Sequence, residues 1–577
     1  MYLNNSLYVA HCDQGPIHLV GKMCNRHGLI AGATGTGKTV TLQVLAETFC
    51  QAGVPCFMAD MKGDLSGISQ EGKLSSFIEK RCSEFGIKPD ELEFAGCPVR
   101  FYDVYGEQGF PMRTTVSAMG PQLLSRLMEL NETQAGVLNI VFRIADDEQF
   151  LLIDLKDLRM MLDFVGKNAS KFTTRYGNVS ASSVGAIQRS ILAIESEGGD
   201  KFFGEPSFDI NDLLDTERGL GVMSVLAADR LMMQPKLYST FLLWMLTELY
   251  ATLPEVGDQE LPKLVFFFDE AHMLFDGTSK ALTDKLQQVI RLIRSKGVGI
   301  YFITQSPSDI PDVILGQLGN RFQHALRAYT PKDQKAVRAA AETFRTNPAF
   351  DTEEAIKELA TGEALVSILD EGGAPTMVER ARILFPLSQI GAITPEQRQS
   401  IQNAAPARIK GYASFFDRES AYEVLTGAAE AAEREAEERA AAKAQEQREK
   451  EEARLAEQQA KEEARLAEKQ AKEEARREAA EARQAEKEQR ERERQEAAER
   501  KEAERAMKEL ERQQAAARKE AERLAKERQR EAERHAKAQQ KAAQNTLGRT
   551  IFGTVARSVT SSVSRRITNT ILKSIFK

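Results

Sequence analysis

The sequence lacks any run of about 18 or more apolar residues, so it predicts no helix that crosses a membrane. Its first residues have neither the basic nor the apolar segment of a secretory signal, so we expect no secretion. No two cysteines form a C-x-x-C pair, and all six lie in the first hundred residues. We therefore expect reduced thiols and a cytoplasmic location, with a zinc or redox site as the alternative.

An excess of positive charge is also missing, because the formal net charge is -7. No global basic field therefore indicates a nucleic-acid partner. The 577 residues allow several domains, and 42% of them are hydrophobic, which is enough for a sizeable core.

The strongest motif is a glycine-rich stretch that matches G-x-x-x-x-G-K-[ST] at every defined position. Its residues are Gly32, Ala33, Thr34, Gly35, Thr36, Gly37, Lys38 and Thr39. Residues 27–31 before it are typical of a buried strand, and residues 40–50 after it are typical of an amphipathic helix. The loop N–H groups and the helix N-terminus predict an anion cradle. We expect Lys38 to reach the β- and γ-phosphates of ATP and Thr39 to bind Mg²⁺.

A second nucleotide-binding signature follows an apolar strand at residues 263–268. The strand is followed by Asp269 and Glu270, which fits a Walker B motif. We expect Asp269 to hold Mg²⁺ through water and Glu270 to orient or deprotonate the attacking water. The alternative is a buried strand that ends in solvated acids.

Three further polar groups occupy strand ends or strand starts. A charged turn, residues 60–64, follows the strand predicted at 54–60, where open α/β sheets place ligand-contacting residues. Gln305 follows the apolar strand predicted from residue 298 and is a candidate γ-phosphate sensor, or only a strand-end hydrogen bond. Arg321 precedes a strand predicted at 322–329 and is a candidate arginine finger acting in trans, or a surface arginine.

Amino-acid composition and the periodicity of apolar residues divide the chain into six segments. They are a short N-terminal β segment (1–28), a first core part (29–111), a mainly helical insertion (112–260), a second core part (261–425), a charged segment (428–544) and a basic tail (545–577). In the charged segment, residues 450–460 repeat as 461–471, and large aliphatic residues are rare. We favour a long solvated helix there over a loose coiled coil or disorder.

The basic tail carries arginines and lysines without any acid, and β-branched apolar residues recur every four positions. The pattern fits a membrane-surface helix, a DNA phosphate contact or a docking helix. Packing on the protein itself or on a neighbour's tail is the simpler alternative.

Five motifs occur in order: GATGTGKT, DMKGD, FFFDEAH, RLIRSKGVGIYFITQ and LGNRFQHALRA. Together they resemble the HerA-like branch of the HerA/FtsK P-loop ATPases over residues 1–400. The resemblance implies an α/β fold with a RecA-like P-loop core, Mg-ATP hydrolysis and a ring expected to be hexameric. It also implies double-stranded DNA as substrate and a nuclease as partner.

By residue, the resemblance supports Lys38 and Thr39 on phosphate and Mg²⁺, Asp269 and Glu270 as Walker B, Gln305 as sensor and Arg321 as arginine finger. The chain departs from the pattern by its short segment before the loop and by its long charged tail. A different class of function stays open: a nucleotide-controlled assembly protein that uses its long helix and basic tail to tether partners or a membrane.

Overall fold

The computed structural model describes residues 1–475, except residues 4, 258 and 276–279, together with scattered positions between residues 501 and 523. The chain divides into one unit from Met1 to Leu425 and a second from Thr426 to Lys577. The sheet and the candidate site belong to the first unit.

Short strands, most of them buried, alternate with helices along the first unit. The strands are β1 (Tyr2–Leu3), β2 (Ser6–Cys12), β3 (Gly15–Leu19), β4 (Gly28–Ala31), β5 (Cys56–Asp60), β6 (Val99–Asp103), β7 (Phe110–Pro111), β8 (Thr216–Glu217), β9 (Leu220–Gly221), β10 (Met223–Ala227), β11 (Leu264–Phe268), β12 (Val298–Thr304), β13 (Asn320–Gln323), β14 (Glu363–Ser367) and β15 (Glu379–Ile383).

The helices are α1 (Lys38–Gln51), α2 (Ser76–Phe85), α3 (Val116–Leu127), α4 (Glu132–Glu148), α5 (Leu155–Lys167), α6 (Ala169–Tyr176), α7 (Ala181–Ser196), α8 (Gly199–Phe202), α9 (Pro235–Thr252), α10 (Lys280–Ile293), α11 (Asp312–Leu315), α12 (Pro331–Glu342), α13 (Thr352–Glu358), α14 (Pro395–Ala404), α15 (Ala407–Lys410) and α16 (Ala421–Ala475). Helix α3 is kinked at Gly120, which precedes Pro121.

One mixed sheet organises the described part of the first unit, in the order β1-β2-β15-β14-β13-β4-β12-β11-β5-β10-β6-β7, with β3 paired to β2. All neighbours from β13 to β7 are parallel, and β14, β15 and the N-terminal strands add an antiparallel side. The α/β fold class predicted from the sequence is confirmed. Strands β2 and β3 form the N-terminal hairpin that the sequence predicted.

The parallel strands are covered on both faces, which explains their continuous apolar sequences. Strand β11 shows the alternation: Phe266 and Phe268 belong to one buried cluster, and Phe267 belongs to the other. The first cluster continues into helices α3–α10, and the second contains α1 and the N-terminal hairpin. The sheet is therefore the middle of three layers.

The mainly helical range 112–260 supplies one central strand that its helical periodicity did not predict. Strand β10 lies between β5 and β6, parallel to both. It is only five residues long, and its Ser224 is fully buried, so no apolar run or alternation marks it. The strand predicted at 322–329 is also shorter than expected, since β13 ends at Gln323 and Thr330 caps helix α12.

Helix α16 continues into the second unit and covers the charged segment as far as Ala475. Residues 433–456 are exposed throughout. Glu-to-Arg or Glu-to-Lys pairs four residues apart support it, at Glu430–Arg434, Glu435–Arg439 and Glu446–Lys450. Its 55 residues correspond to a length of about 80 Å. The tail at 545–577 lies outside the described residues.

In the described part of the chain, no helix is long and apolar enough to cross a membrane. All six cysteines are buried and free.

Candidate functional site

Four neighbouring parallel strands end at the same edge of the sheet, and each is followed by a predicted site segment. The glycine-rich loop follows β4, and Gln305 follows β12. Asp269 and Glu270 follow β11, and the charged turn 60–64 includes the last residue of β5 and continues beyond it. Since the strands are adjacent in the order β4-β12-β11-β5, the sheet brings these four segments side by side.

The glycine-rich loop curls around the ammonium group of Lys38. Lys38 Nζ donates to the carbonyl oxygen of Gly32 over 2.6 Å and to that of Ala33 over 3.2 Å. Helix α1 begins at Lys38, with Gly37 as its N-cap in the left-handed region. The first amides of a helix have no carbonyl partner within it. The loop therefore presents a cation and helix N–H groups together, which is the chemistry of a phosphate cradle.

The fully buried His324 packs against the glycine-rich loop. A Cβ at Gly32 would lie 2.5 Å from Cβ of His324, and Gly32 has a φ of +154°, so a side chain is excluded there. His324 Nε2 shares a hydrogen bond of 2.8 Å with Thr41 Oγ1. Burial lowers the pKa of His324 to about 4, so the ring is neutral and adds no charge beneath Lys38. No sequence motif indicates this role, because it depends on packing between residues far apart in the chain.

Glu270 stands in a strained backbone conformation. Its φ of 45° and ψ of 47° lie in the left-handed region, which L-residues with a Cβ rarely adopt. The preceding Asp269 accepts a hydrogen bond from the Glu270 amide over 2.9 Å. Strain of this kind persists where the surroundings fix it, and it is concentrated at functional sites.

The Glu270 carboxylate is held by side chains from two neighbouring strand ends. Lys62 Nζ donates to Oε1 over 2.8 Å, and Gln305 Nε2 donates to Oε2 over 3.4 Å. His272 Nδ1 lies 3.6 Å from Oε2. The structure thus brings together Glu270 and Gln305, two of the candidate site residues, and adds Lys62, to which the sequence assigned no individual role. The only sequence signal for Lys62 was its place in the turn after β5.

Burial and charge shift the pKa values of Asp269 and Glu270 in opposite directions. Burial, together with the neighbouring Glu270 charge, raises the pKa of Asp269 to about 6. Burial also opposes ionisation of Glu270, but the Lys62 hydrogen bond and charge outweigh it and hold the pKa of Glu270 below its usual value. For Lys38, burial lowers the pKa, while the charges of Glu270 and Asp269 act in the opposite direction. The loop lysine and the acid pair therefore share one electrostatic environment.

Asp60 organises the turn that carries Lys62. Its Oδ1 accepts hydrogen bonds from the amides of Gly63 and Lys62, and its Oδ2 accepts one from Leu65. Burial, with the nearby Asp64 charge, raises the pKa of Asp60 to about 7. Oδ1 of Asp64 is buried and has no hydrogen-bond partner among the residues that the structure describes.

The oxygen donors at this edge fit Mg²⁺ bound together with a nucleotide. Among the described residues, no group of three or more His, Cys, Asp or Glu side chains is placed to hold a metal ion. Mg²⁺ at nucleotide sites needs only one or two protein oxygens beside phosphate and water. Thr39 is the second residue of helix α1, and Asp269 directly follows β11, so a hydroxyl and a carboxylate oxygen of the required kind come from the two segments.

Within one chain, Arg321 lies apart from the other candidate site residues. It is the second residue of β13, near the opposite edge of the sheet. Its guanidinium donates to three backbone carbonyls, those of Leu318, Thr343 and Leu315, over 2.8 to 2.9 Å. Its action as an arginine finger on a neighbouring subunit stays a prediction.

The family model described as helicase HerA-like C-terminal matches residues 5–494 of the chain. No curated protein matches the chain.

The chain is similar to solved structures of two proteins, TrwB and VirB4. The bacterial conjugative coupling protein TrwBdeltaN70 is 14% identical, with a TM-score of 0.45, and the match covers 68% of this chain and 92% of that chain. The plasmid coupling protein TrwB in complex with ADP and Mg²⁺ is 15% identical, with a TM-score of 0.43 and coverage of 64% and 87%. VirB4 of Thermoanaerobacter pseudethanolicus is 15% identical, with a TM-score of 0.41 and coverage of 68% and 97%.

Proposed function

Because the chain belongs to the helicase HerA-like C-terminal family, we propose that it is a P-loop ATPase that binds Mg-ATP and hydrolyses it to ADP and phosphate. The observation that carries the proposal is the contact of Glu270 with Lys62 and Gln305 at the edge that also holds the glycine-rich loop. A phosphate cradle beside an ionised, oriented carboxylate is what in-line attack by water requires.

Each residue has a distinct task in this proposal. The loop amides and Lys38 hold the β- and γ-phosphates. Thr39 and Asp269 hold Mg²⁺, which when bound neutralises charge that develops on the phosphates. Glu270 orients the attacking water and accepts its proton, and Gln305 contacts the γ-phosphate or that water. Lys62 keeps Glu270 ionised and fixes its direction.

Hydrolysis of ATP by the purified full-length chain, measured with and without Mg²⁺, tests the proposal. We expect turnover that requires Mg²⁺ and falls by a factor of about 10² or more in the Glu270→Gln variant. Turnover equal in the variant and the wild type would contradict the task given to Glu270.

We further propose that the protein assembles as a ring, expected to be hexameric, and moves along double-stranded DNA. The support is the family's helicase description. Mass measurement with an ATP analogue tests the ring, and stimulation of ATP hydrolysis by duplex DNA tests the motor. A nuclease partner, a membrane contact through 545–577 and a cytoplasmic location stay predictions.

The long charged helix favours a second candidate, a nucleotide-controlled assembly protein. Helix α16 is exposed over residues 433–456, so this described surface is open to a partner. In this case ATP binding alone sets the oligomeric state, and Glu270→Gln should assemble and capture partners as the wild type does. A motor instead loses its DNA-dependent function in that variant.

A further inference from the structure

A cavity of about 640 Å³ lies beside the end of helix α1 that is farther from the glycine-rich loop. Two cysteines line this cavity, which we call the thiol cavity: Cys50 in the last turn of α1 and Cys97 two residues before β6. Exposed residues also form part of its wall, so the cavity opens to solvent. They are Gly86, Glu91, Glu93 and Ala95.

The two thiols of the cavity contact each other. A side-chain hydrogen bond joins Cys97 and Cys50, whose side chains are only 7% and 1% exposed. The structure describes all six cysteines, and none of the other four lines the thiol cavity. Three of those four donate to backbone carbonyls instead, namely Cys12, Cys24 and Cys56. The fold therefore pairs Cys50 with Cys97 in a cavity that a small molecule can enter.

The charge around the thiol cavity favours a small uncharged reagent. Glu47, Glu91 and Glu93 line it, and no lysine or arginine among the described residues does. The Met1 amine also lines it, but burial lowers the pKa of this amine to about 5, so it is uncharged at neutral pH. Glutamates at the opening repel anionic disulfides such as oxidised glutathione, whereas hydrogen peroxide carries no charge.

We propose that Cys50 and Cys97 form a reversible disulfide when hydrogen peroxide enters the thiol cavity. The Cys50 sulfur attacks one peroxide oxygen, the O–O bond breaks, and Cys50 becomes a sulfenic acid while the other oxygen leaves as water. The Cys97 sulfur then attacks the Cys50 sulfur, the S–S bond forms, and a second water leaves. The two thiols lose two electrons and two protons, and one peroxide becomes two waters.

The environment of Cys97 sets the order of the two steps. Its hydrogen bond with Cys50 and its burial raise the pKa of the Cys97 thiol well above the usual value. Because the thiolate is the form of cysteine that attacks, the protonated Cys97 is a poor first nucleophile. Cys50 is therefore the residue that meets the peroxide, and Cys97 is the residue that closes the disulfide.

The disulfide ties the end of α1 to the segment before β6. Helix α1 begins with Lys38 and Thr39, so the link anchors the helix that carries the phosphate cradle without touching the residues proposed to hold ATP. Oxidation does not depend on ATP hydrolysis. The Glu270→Gln variant should therefore form the disulfide as the wild type does.

Peptide mapping of the full-length chain tests the proposal. The protein is treated with hydrogen peroxide, the remaining thiols are alkylated in urea, and the peptides are identified by mass. We expect one link, between Cys50 and Cys97, with the other four cysteines alkylated, and dithiothreitol should restore all six thiols. Oxidised glutathione should form the link about tenfold more slowly or not at all.

Three serine variants test the role of each thiol. Cys97→Ser should stop at a sulfenic acid on Cys50, which dimedone labels, whereas Cys50→Ser should give neither label nor link. Cys12→Ser removes another buried thiol, in β2, and should form the link as the wild type does.

The wild-type map decides the proposal even where a serine variant does not fold. Six alkylated thiols after peroxide treatment overturn it, and so does a link through Cys56 instead of Cys97. An equal yield of the Cys50–Cys97 link in the urea-unfolded chain also overturns it, because the fold then plays no part in the pairing.

Discussion

Lys62 Nζ lies 2.8 Å from Glu270 Oε1, although 208 positions separate the two residues in the chain. The Lys62 side chain is about half exposed, at 54%, whereas that of Glu270 is only 10% exposed. A half-exposed ammonium group thus holds a largely buried carboxylate. Its removal should affect the reaction more than the fold.

Replacing Lys62 by methionine should lower kcat with little change in ATP affinity, because Glu270 loses its orientation and its stabilising charge. Without Lys62, burial raises the pKa of Glu270, so the acidic limb of the kcat profile should move to higher pH. Lys73→Met, at an exposed position, is the control. An unshifted pH profile in Lys62→Met would show that the contact does not govern catalysis.

Lys38→Ala and Glu270→Gln should separate binding from turnover. Lys38→Ala removes the cation inside the loop and should lose tight ATP binding. Glu270→Gln keeps the cradle and should bind ATP as the wild type does while hydrolysing it about 10² times more slowly. Fluorescent-nucleotide titration and phosphate release measure the two quantities. Equal ATP affinity in all three proteins would remove the role of Lys38.

Asp60 should make stability depend on pH near neutrality. Its pKa is about 7 in the fold, against about 3.9 in an unfolded chain. The folded state therefore binds this proton more tightly, so the contribution is complete below about pH 4 and is lost as pH rises through 7. The free energy of unfolding of wild type minus that of Asp60→Asn should fall by a few kcal/mol between about pH 5 and pH 8. Exposed Asp90→Asn should follow the wild type, and urea unfolding at both pH values measures the difference.

Arg321→Ala should destabilise the fold, on the order of 3 kcal/mol, because three backbone carbonyls lose a charged donor. Thermal unfolding, compared with that of Arg327→Ala at an exposed position, measures this effect.

A second measurement tests the predicted action of Arg321 on a neighbouring subunit. Rings mixed from Arg321→Ala and Lys38→Ala proteins should regain part of their activity, and no recovery in demonstrably mixed rings would count against it.

Removal of residues 428–577 should leave folding and basal ATP hydrolysis nearly unchanged. Ala421 and Leu425 are buried and are kept, whereas residues 433–456 are exposed, so the cut uncovers little apolar surface. Binding to DNA, vesicles or a partner should fall if the tail provides it, and the dependence on salt distinguishes phosphate contacts from apolar ones. Inactive monomers after truncation would show that the tail belongs to the assembly.

Local motifs made the site's backbone predictable. The glycine-rich loop, the strand before Asp269 and the strand before Gln305 each carry a signature within about ten residues, and parallel pairing places their ends together. The same logic correctly located helix α1 and strand β5.

Long-range side-chain contacts were not predictable in this way. Which atoms Lys62 and His324 touch depends on segments hundreds of residues apart, and Arg321 turned out to bind carbonyls of its own chain. Strand β10 was missed because a five-residue run with a buried serine has no distinctive period.

The left-handed backbone at Glu270 lowers the stability of the fold, and the same residue carries the side chain proposed to serve hydrolysis. Glycine adopts this conformation without the penalty of a Cβ, on the order of 1 kcal/mol, so Glu270→Gly removes the carboxylate proposed to activate water and relaxes the chain in one step. A selection for thermostable variants that ignores turnover would therefore favour an inactive protein at this position. An active protein therefore has to keep a strained residue at position 270, although a single substitution to glycine would remove the strain.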